Sequence, residues 1–167
     1  MKKSRFIAQG ALVAALYVVL THLQNFLIPD SASFAIQFRA SEALCVLALF
    51  TPAAVPGLTL GCLLFNISFA GALPLDFLVG SLATLLATGG MYTLRKVTVK
   101  GYPFLAMVLP AVSNALLVGW ELSLYIGGAF WLNALYVAIG ELAVLLTLGT
   151  ALYYALRTRG LDKRLFG

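Results

Sequence analysis

Charge is scarce in this chain, and with it most of what a soluble protein or a conventional enzyme requires. Only 10% of the 167 residues are charged, against 62% hydrophobic, and the mean hydropathy is +0.98. Soluble domains carry about 25% charged and roughly 45–50% apolar residues. A soluble globule of this size exposes too large a share of its surface to hide such a composition. The class that remains is an integral membrane protein, all-α and polytopic.

Other absences exclude whole chemistries. There is a single histidine, His22, and only two cysteines, Cys45 and Cys62, all within apolar runs. Free cysteine is among the most buried residue types, so both thiols read as core packing and His22 as a packed or pore-facing neutral ring. No metal-ligand spacing is present. The chain has no Gly-rich phosphate loop with GK[ST], no HExxH and no nucleophile–base pair, so neither an enzyme nor a resident cofactor is expected. If the chain moves a solute uphill, another subunit must supply the energy.

What is present is a succession of apolar runs. Crossing a hydrocarbon core of about 30 Å takes roughly 20 helical residues at 1.5 Å each. Runs at about 6–28, 34–50, 57–69, 77–94, 103–126 and 130–156 give six spans in one domain covering 1–167. MKKSR ahead of the first run resembles a secretory leader, but the rest of the chain is equally apolar, so the segment reads as a retained helix. The first run stops at Pro29-Asp30; Thr51-Pro52 and Pro56-Gly57 read as a tight turn between the second and third. These two runs are short. They are either tilted spans shielded by neighbours or a re-entrant pair, and two spans is the preferred reading.

The formal net charge of +5 does not form a nucleic-acid face, because the cations cluster at the ends of apolar runs. With six spans, Lys2, Lys3, Arg5, Arg95, Lys96, Lys100, Arg157, Arg159, Lys163 and Arg164 fall on one side, while Asp30, Asp76 and Arg39 lie opposite. The lysine and arginine bias of short loops makes that basic side cytoplasmic, with both termini on it. The expected location is the cell membrane, multi-pass.

Against this background the polar residues inside the runs stand out. A charge at mid-bilayer costs roughly 2.5–3.5 kcal/mol on the lenient insertion scale, so such residues face a cavity or a partner. The candidates are Arg39, Glu42, Asn66, Asp76, Asn114, Glu121, Asn133 and Glu141, all in the outer half. Asn114 and Glu121, seven apart, share a helix face; Asn133, Tyr136 and Gly140 share another, with Glu141 one step round. Two neighbouring helices would then offer amides and carboxylates to one pocket, with Trp120, Trp131 and Tyr136 as aromatic walls. The competing reading makes the Asn and Glu residues interhelical glue, pairs Arg39 with Glu42, and puts the tryptophans in the interfacial belt, as expected for Tyr125. Ala8, Gly10, Ala11, Ala14 and Ala15 put small residues at four-residue spacing on the first run, which suits close approach of another helix, from a partner or from within the bundle.

Five stretches carry a family resemblance: QFRASEAL (37–44), FTPAAVPGL (50–58), GSLATLLA (80–87), SNALLVGWEL (113–122) and FWLNALYVAIGEL (130–142). Through them, essentially the whole chain resembles the queuosine-precursor transporter (QueT) family, substrate-binding S components of energy-coupling-factor (ECF) transporters. The resemblance implies six helices, an outward-facing site and a cytoplasmic-side contact through the small residues of helix one. It also implies a transmembrane scaffold subunit and two ATPase subunits, which use the ATP. The implied substrates are 7-deazaguanine bases. Their adjacent N1–H and 2-amino donors match a carboxylate, their O6 needs a donor from Asn or Arg, and an aminomethyl arm would be cationic. On this view Glu121 and Glu141 hold the donor-rich parts, Asn114 and Asn133 meet O6 or ring nitrogens, and Trp120, Trp131 or Tyr136 stacks. The reading from a different class is a self-sufficient channel or proton-coupled carrier for a small polar solute that uses Glu121 and Glu141.

Overall fold

The computed structural model describes residues 2–29, 38–69 and 71–166. Asp30 and the first residues of the second predicted run, 34–37, lie outside them. Helix α1 (Lys3–Leu27) is followed by a 3₁₀ helix (Ala40–Leu49), then α2 (Ala54–Ser68), α3 (Asp76–Leu94) and α4 (Phe104–Tyr125). Helix α5 (Phe130–Val144) runs through a π-helical turn (Leu145–Gly149) into α6 (Thr150–Thr158), and a short α7 (Leu161–Phe166) follows. Among the described residues there is no strand beyond an isolated bridge between Val99 and Tyr102.

Four helical stretches are long and apolar enough to cross a membrane: Lys3–Leu27, Asp76–Leu94, Phe104–Tyr125 and Phe130–Thr158. Two shorter apolar helices, Ala40–Leu49 and Ala54–Ser68, complete the set. The ten-residue 3₁₀ helix is unusually long, since i→i+3 geometry rarely persists beyond a turn. Eight of its residues are buried, and it touches α1 through α6. At about 2.0 Å per residue it reaches roughly 20 Å, further than ten α-helical residues would. Its three-residue repeat also aligns Arg39, Glu42 and Cys45 along one edge.

Pro56 and Gly57 lie inside α2 and not in a turn as expected. The first helical turn has no acceptors for its N–H groups, so proline fits there without losing a bond. Gly57 is where α2 meets α1: a Cβ on it would lie 2.6 Å from the carbonyl oxygen of Gly10. One turn on, a Cβ on Gly61 would lie 2.8 Å from Tyr17 Cβ and 3.0 Å from the Ala14 oxygen. Gly10 and Ala14 therefore serve the internal α1–α2 contact, while Ala8, Ala11 and Ala15 are exposed, Ala11 bordering a groove with Pro56, Gly57 and Leu60 of α2. Helices α2, α3, α4 and α5 then pack side by side in chain order, with Gly119 of α4 against the Ala134 backbone of α5.

At the basic end, Arg5 and Gln9 of α1 both donate to the Leu165 carbonyl of α7, and Arg157 donates to the Gly101 carbonyl of the α3–α4 loop. Lys100 and Gly101, at φ 51° and 80°, make the tight turn in that loop. The start of α1, the end of α6, α7 and this loop thus share one end of the bundle. Asn66, whose amide donates to the Asp76 carbonyl, marks the other.

Candidate functional site

Most of the hydroxyls on inner faces are satisfied by their own helix. Ser81, Thr84 and Thr88 of α3 each donate to the carbonyl four residues earlier. A carboxylate has no such option, because it only accepts. Glu42, Asp76, Glu121 and Glu141 are all buried, at 2%, 6%, 0% and 5% exposure, and Arg39 is buried among them at 8%. Arg39 lies within electrostatic reach of all four carboxyl groups, and its guanidinium sits 5.8 Å from the centre of the Phe65 ring. Four acidic groups from the 3₁₀ helix, α3, α4 and α5 therefore converge on one guanidinium.

The cluster has a deep part and an outer part. In the deep part Tyr17 donates to Glu42 Oε1 at 2.5 Å and Cys45 Sγ to Glu42 Oε2 at 3.2 Å. Beside it, Asn114 donates its amide to Glu141 Oε1 at 2.7 Å. In the outer part, Glu121 lies within electrostatic reach of Asp76. Asp76 Oδ2 also accepts the Leu73 N–H at 2.8 Å, which fixes it at the start of α3.

Several acceptors in this cluster have no donor. Both oxygens of Glu121, Oε2 of Glu141 and Oδ1 of Asn66 are buried and unpartnered, four of the six such atoms among the described residues. A buried acceptor without a donor costs about 1–3 kcal/mol, and more when charged. Glue between helices would have satisfied these atoms. Their arrangement suits a guest rich in N–H donors.

Seven of the sequence candidates, Arg39, Glu42, Asn66, Asp76, Asn114, Glu121 and Glu141, meet here. The others do not. Asn133 is buried, but its amide donates to the Gly127 carbonyl at 3.0 Å and ties down the α4–α5 connection, where Gly127 and Gly128 both adopt φ 86°. Trp120 and Trp131 are 47% and 75% exposed, so neither walls the cluster. Trp131 borders a groove of about 240 Å³ on the outside of α4 and α5 with Val112, Leu116 and Ala138. Tyr136 is half-buried. Besides Tyr17, the aromatic next to the polar groups is Phe65, stacked on Phe69 and met edge-on by His22, whose Nε2 lies 2.9 Å from Ser68 Oγ. Gly10 and Ala14, read as partner-facing, are taken up by α2 as described.

Sequence reasoning missed Tyr17, Thr21, Ser41 and Cys45. Thr21 Oγ lies 2.7 Å from Ser41 Oγ and donates to the Tyr17 carbonyl. A signal existed: Tyr17, Thr21 and Gln24 follow a helical face of an otherwise apolar run.

The sequence profile of the QueT transporter family matches residues 7–158. The chain belongs to the QueT transporter family. This is a family of transporters and not of enzymes, and its long apolar helices mark it as a membrane protein. Among curated proteins, the chain is similar to the queuosine precursor transporter QueT of Lactococcus lactis subsp. cremoris (strain MG1363), 39% identical over 89 residues. That match covers 52% of this QueT-family chain and 50% of the relative, about half the relative's length. No solved structure matches.

Proposed function

We propose that this chain is the substrate-binding subunit of an ATP-driven importer, an S component of the ECF type, and that it captures a queuosine precursor at its outer face. The observation that carries this reading is the set of buried acceptors without donors, Glu121 Oε1 and Oε2 and Glu141 Oε2, gathered around Arg39. A 7-deazaguanine base presents adjacent N–H donors that suit Glu141, and an O6 acceptor that suits Arg39. Phe65 offers a ring face at the same place. The name of the Lactococcus lactis relative supports the substrate class.

The rest of the assembly follows from the same reading. The whole chain forms one unit of six spans in the cell membrane. The 3₁₀ helix and α2 are the short spans; the 3₁₀ helix is enclosed by its neighbours, while α2 keeps Leu60, Leu64 and Ile67 exposed. Ten of the eleven cations mark the basic end as cytoplasmic, with both termini there. On this reading the chain works with a transmembrane scaffold subunit and two ATPases that use the ATP. The small residues left exposed on α1, Ala8, Ala11 and Ala15, are the face offered to the scaffold.

One contact favours a second reading. Two buried carboxyl groups within electrostatic reach of each other, Asp76 and Glu121, are what a proton-coupled carrier would use. Reconstitution in liposomes separates the two. The S-component reading expects the purified chain to bind a 7-deazaguanine but to show no uptake until scaffold, ATPases and ATP are added. Uptake by the chain alone, driven by a pH gradient, would overturn it in favour of the carrier.

A further inference from the structure

The long helices do not close into a ring. Helix α1 packs on α2 and on the 3₁₀ helix, and α6 packs on the 3₁₀ helix and α7, but α1 and α6 do not pack on each other. Between them runs a groove of about 250 Å³. Leu12 and Leu16 of α1 form one wall, Leu152 and Leu156 of α6 the other, and Leu44 and Leu47 of the 3₁₀ helix the floor. Leu165 and Phe166 of α7 line its basic end. Gln9 also lines it, but both ends of that side chain are engaged. Its amide donates to the Leu165 carbonyl at 2.8 Å, and its oxygen accepts from Thr51 Oγ at 3.0 Å. A space lined by leucines offers water no partners, and left empty it forfeits dispersion contacts on every wall. It suits a flexible hydrocarbon chain. Positive charge is set at its basic end. Arg5, one turn before Gln9, is exposed and donates to the same Leu165 carbonyl through one of its N–H groups. Arg164 precedes Leu165, Lys2 and Lys3 open α1, and all three are exposed. The acidic residue of α7, Asp162, lines a neighbouring hollow with Leu49 and Phe50.

We propose that the seam between α1 and α6 is a binding site for one anionic phospholipid, with an acyl chain laid along Leu12, Leu16 and Leu156 and its phosphate against Arg5. This goes beyond the transport reading and does not rest on it, since it requires only that the chain sits in a bilayer. A guanidinium presents a planar fork of donors that matches two phosphate oxygens. The Leu165 carbonyl takes one donor and holds that fork beside the groove. Basic side chains beside a cleft between membrane helices favour anionic headgroups over zwitterionic ones. The lipid then bridges α1 and α6, two helices that have no packing contact of their own.

The test is native mass spectrometry of the purified full chain, titrated with dioleoylphosphatidylglycerol or with dioleoylphosphatidylcholine. One phosphatidylglycerol per chain should bind at least about tenfold more tightly than phosphatidylcholine, the scale of the basic residues at the mouth. Arg5→Gln keeps a donor for the Leu165 carbonyl but removes the charge, so the preference should shrink about fivefold. Leu12→Trp, at an exposed position, sets an indole in the groove and should abolish the tight binding. Leu16→Trp repeats that block from the next turn, and thermal melting shows whether each variant is folded. Glycerol 3-phosphate, a headgroup without chains, should not compete. Equal retention of the two lipids by the wild type overturns the site and leaves ordinary boundary lipid. A preference that survives Arg5→Gln, or tight binding by the folded tryptophan variants, places the lipid elsewhere and overturns it as well. Competition by glycerol 3-phosphate overturns it in favour of a free-phosphate site. Retention of neither lipid overturns it and leaves the seam to a helix of a partner.

Discussion

Asn114 on α4 donates its side-chain amide to Glu141 on α5 at 2.7 Å, while the other Glu141 oxygen is buried with no donor. The two residues are the hinge between structure and function in this chain: one oxygen is spent on the α4–α5 contact and one is open. Asn114→Ala would strand the whole carboxylate. We expect a loss of about 1–3 kcal/mol in stability, read by thermal unfolding in detergent, together with weaker ligand binding. Asn114→Asp, which sets two carboxyls in contact, should be worse on both counts.

The Tyr17–Glu42 bond at 2.5 Å joins α1 to the 3₁₀ helix. Tyr17→Phe keeps the ring and removes the donor. Interhelical hydrogen bonds inside membrane proteins couple by about 0.6 kcal/mol, up to roughly 1.7. A double-mutant cycle of Tyr17→Phe with Glu42→Gln should return a coupling in that range, and a coupling of zero would mean that the contact contributes nothing to the fold.

Glycine substitutions should divide by sign. Gly57→Ala forces a Cβ to within 2.6 Å of the Gly10 carbonyl, so α1 and α2 must separate, and overpacking of this kind costs about 1–3 kcal/mol. Gly89 in α3 has nothing within 4 Å of the same atom. Gly89→Ala should stabilise by about 0.5–1 kcal/mol, because alanine loses less backbone freedom in a helix. Melting temperatures of the two variants should move in opposite directions.

The two faces of α1 should also separate in a pull-down. Gly10 and Ala14 pack on α2, whereas Ala8, Ala11 and Ala15 are exposed, Ala11 at the edge of the α2 contact. Ala11→Leu and Ala15→Leu should weaken co-purification with the proposed scaffold subunit and leave the melting temperature unchanged. Gly10→Leu should lower the melting temperature whether or not a partner is present.

Much of this was readable from residue order. The runs at 77–94 and 103–126 match α3 and α4 to within a residue at each end, because Pro, Gly and cationic pairs bound them. Seven of the polar candidates converge, since ionisable groups in apolar helices have few places to go. The faces of the helices were harder to read, because where almost every position is apolar, periodicity does not distinguish lipid from core. Even so, spacing held a warning about the tryptophans. Trp120 precedes Glu121 by one residue, about 100° round the helix, and Trp131 precedes Asn133 by two, about 200°; neither could share its neighbour's face. The 3₁₀ and π segments had no sequence signature. Both depend on tertiary packing, with Gly149 of the π turn seated against Met107 and Val46 of the 3₁₀ helix.

The central claim is that the open oxygens in this cluster receive donors from a flat, polar guest. Its most direct test is the affinity of the purified chain for 7-deazaguanine before and after Glu141→Gln, with melting curves to show that the variant is folded. A donor edge that relies on the carboxylate should lose at least about tenfold in affinity when one oxygen becomes an amide. An unchanged affinity in a folded Glu141→Gln variant would contradict the account.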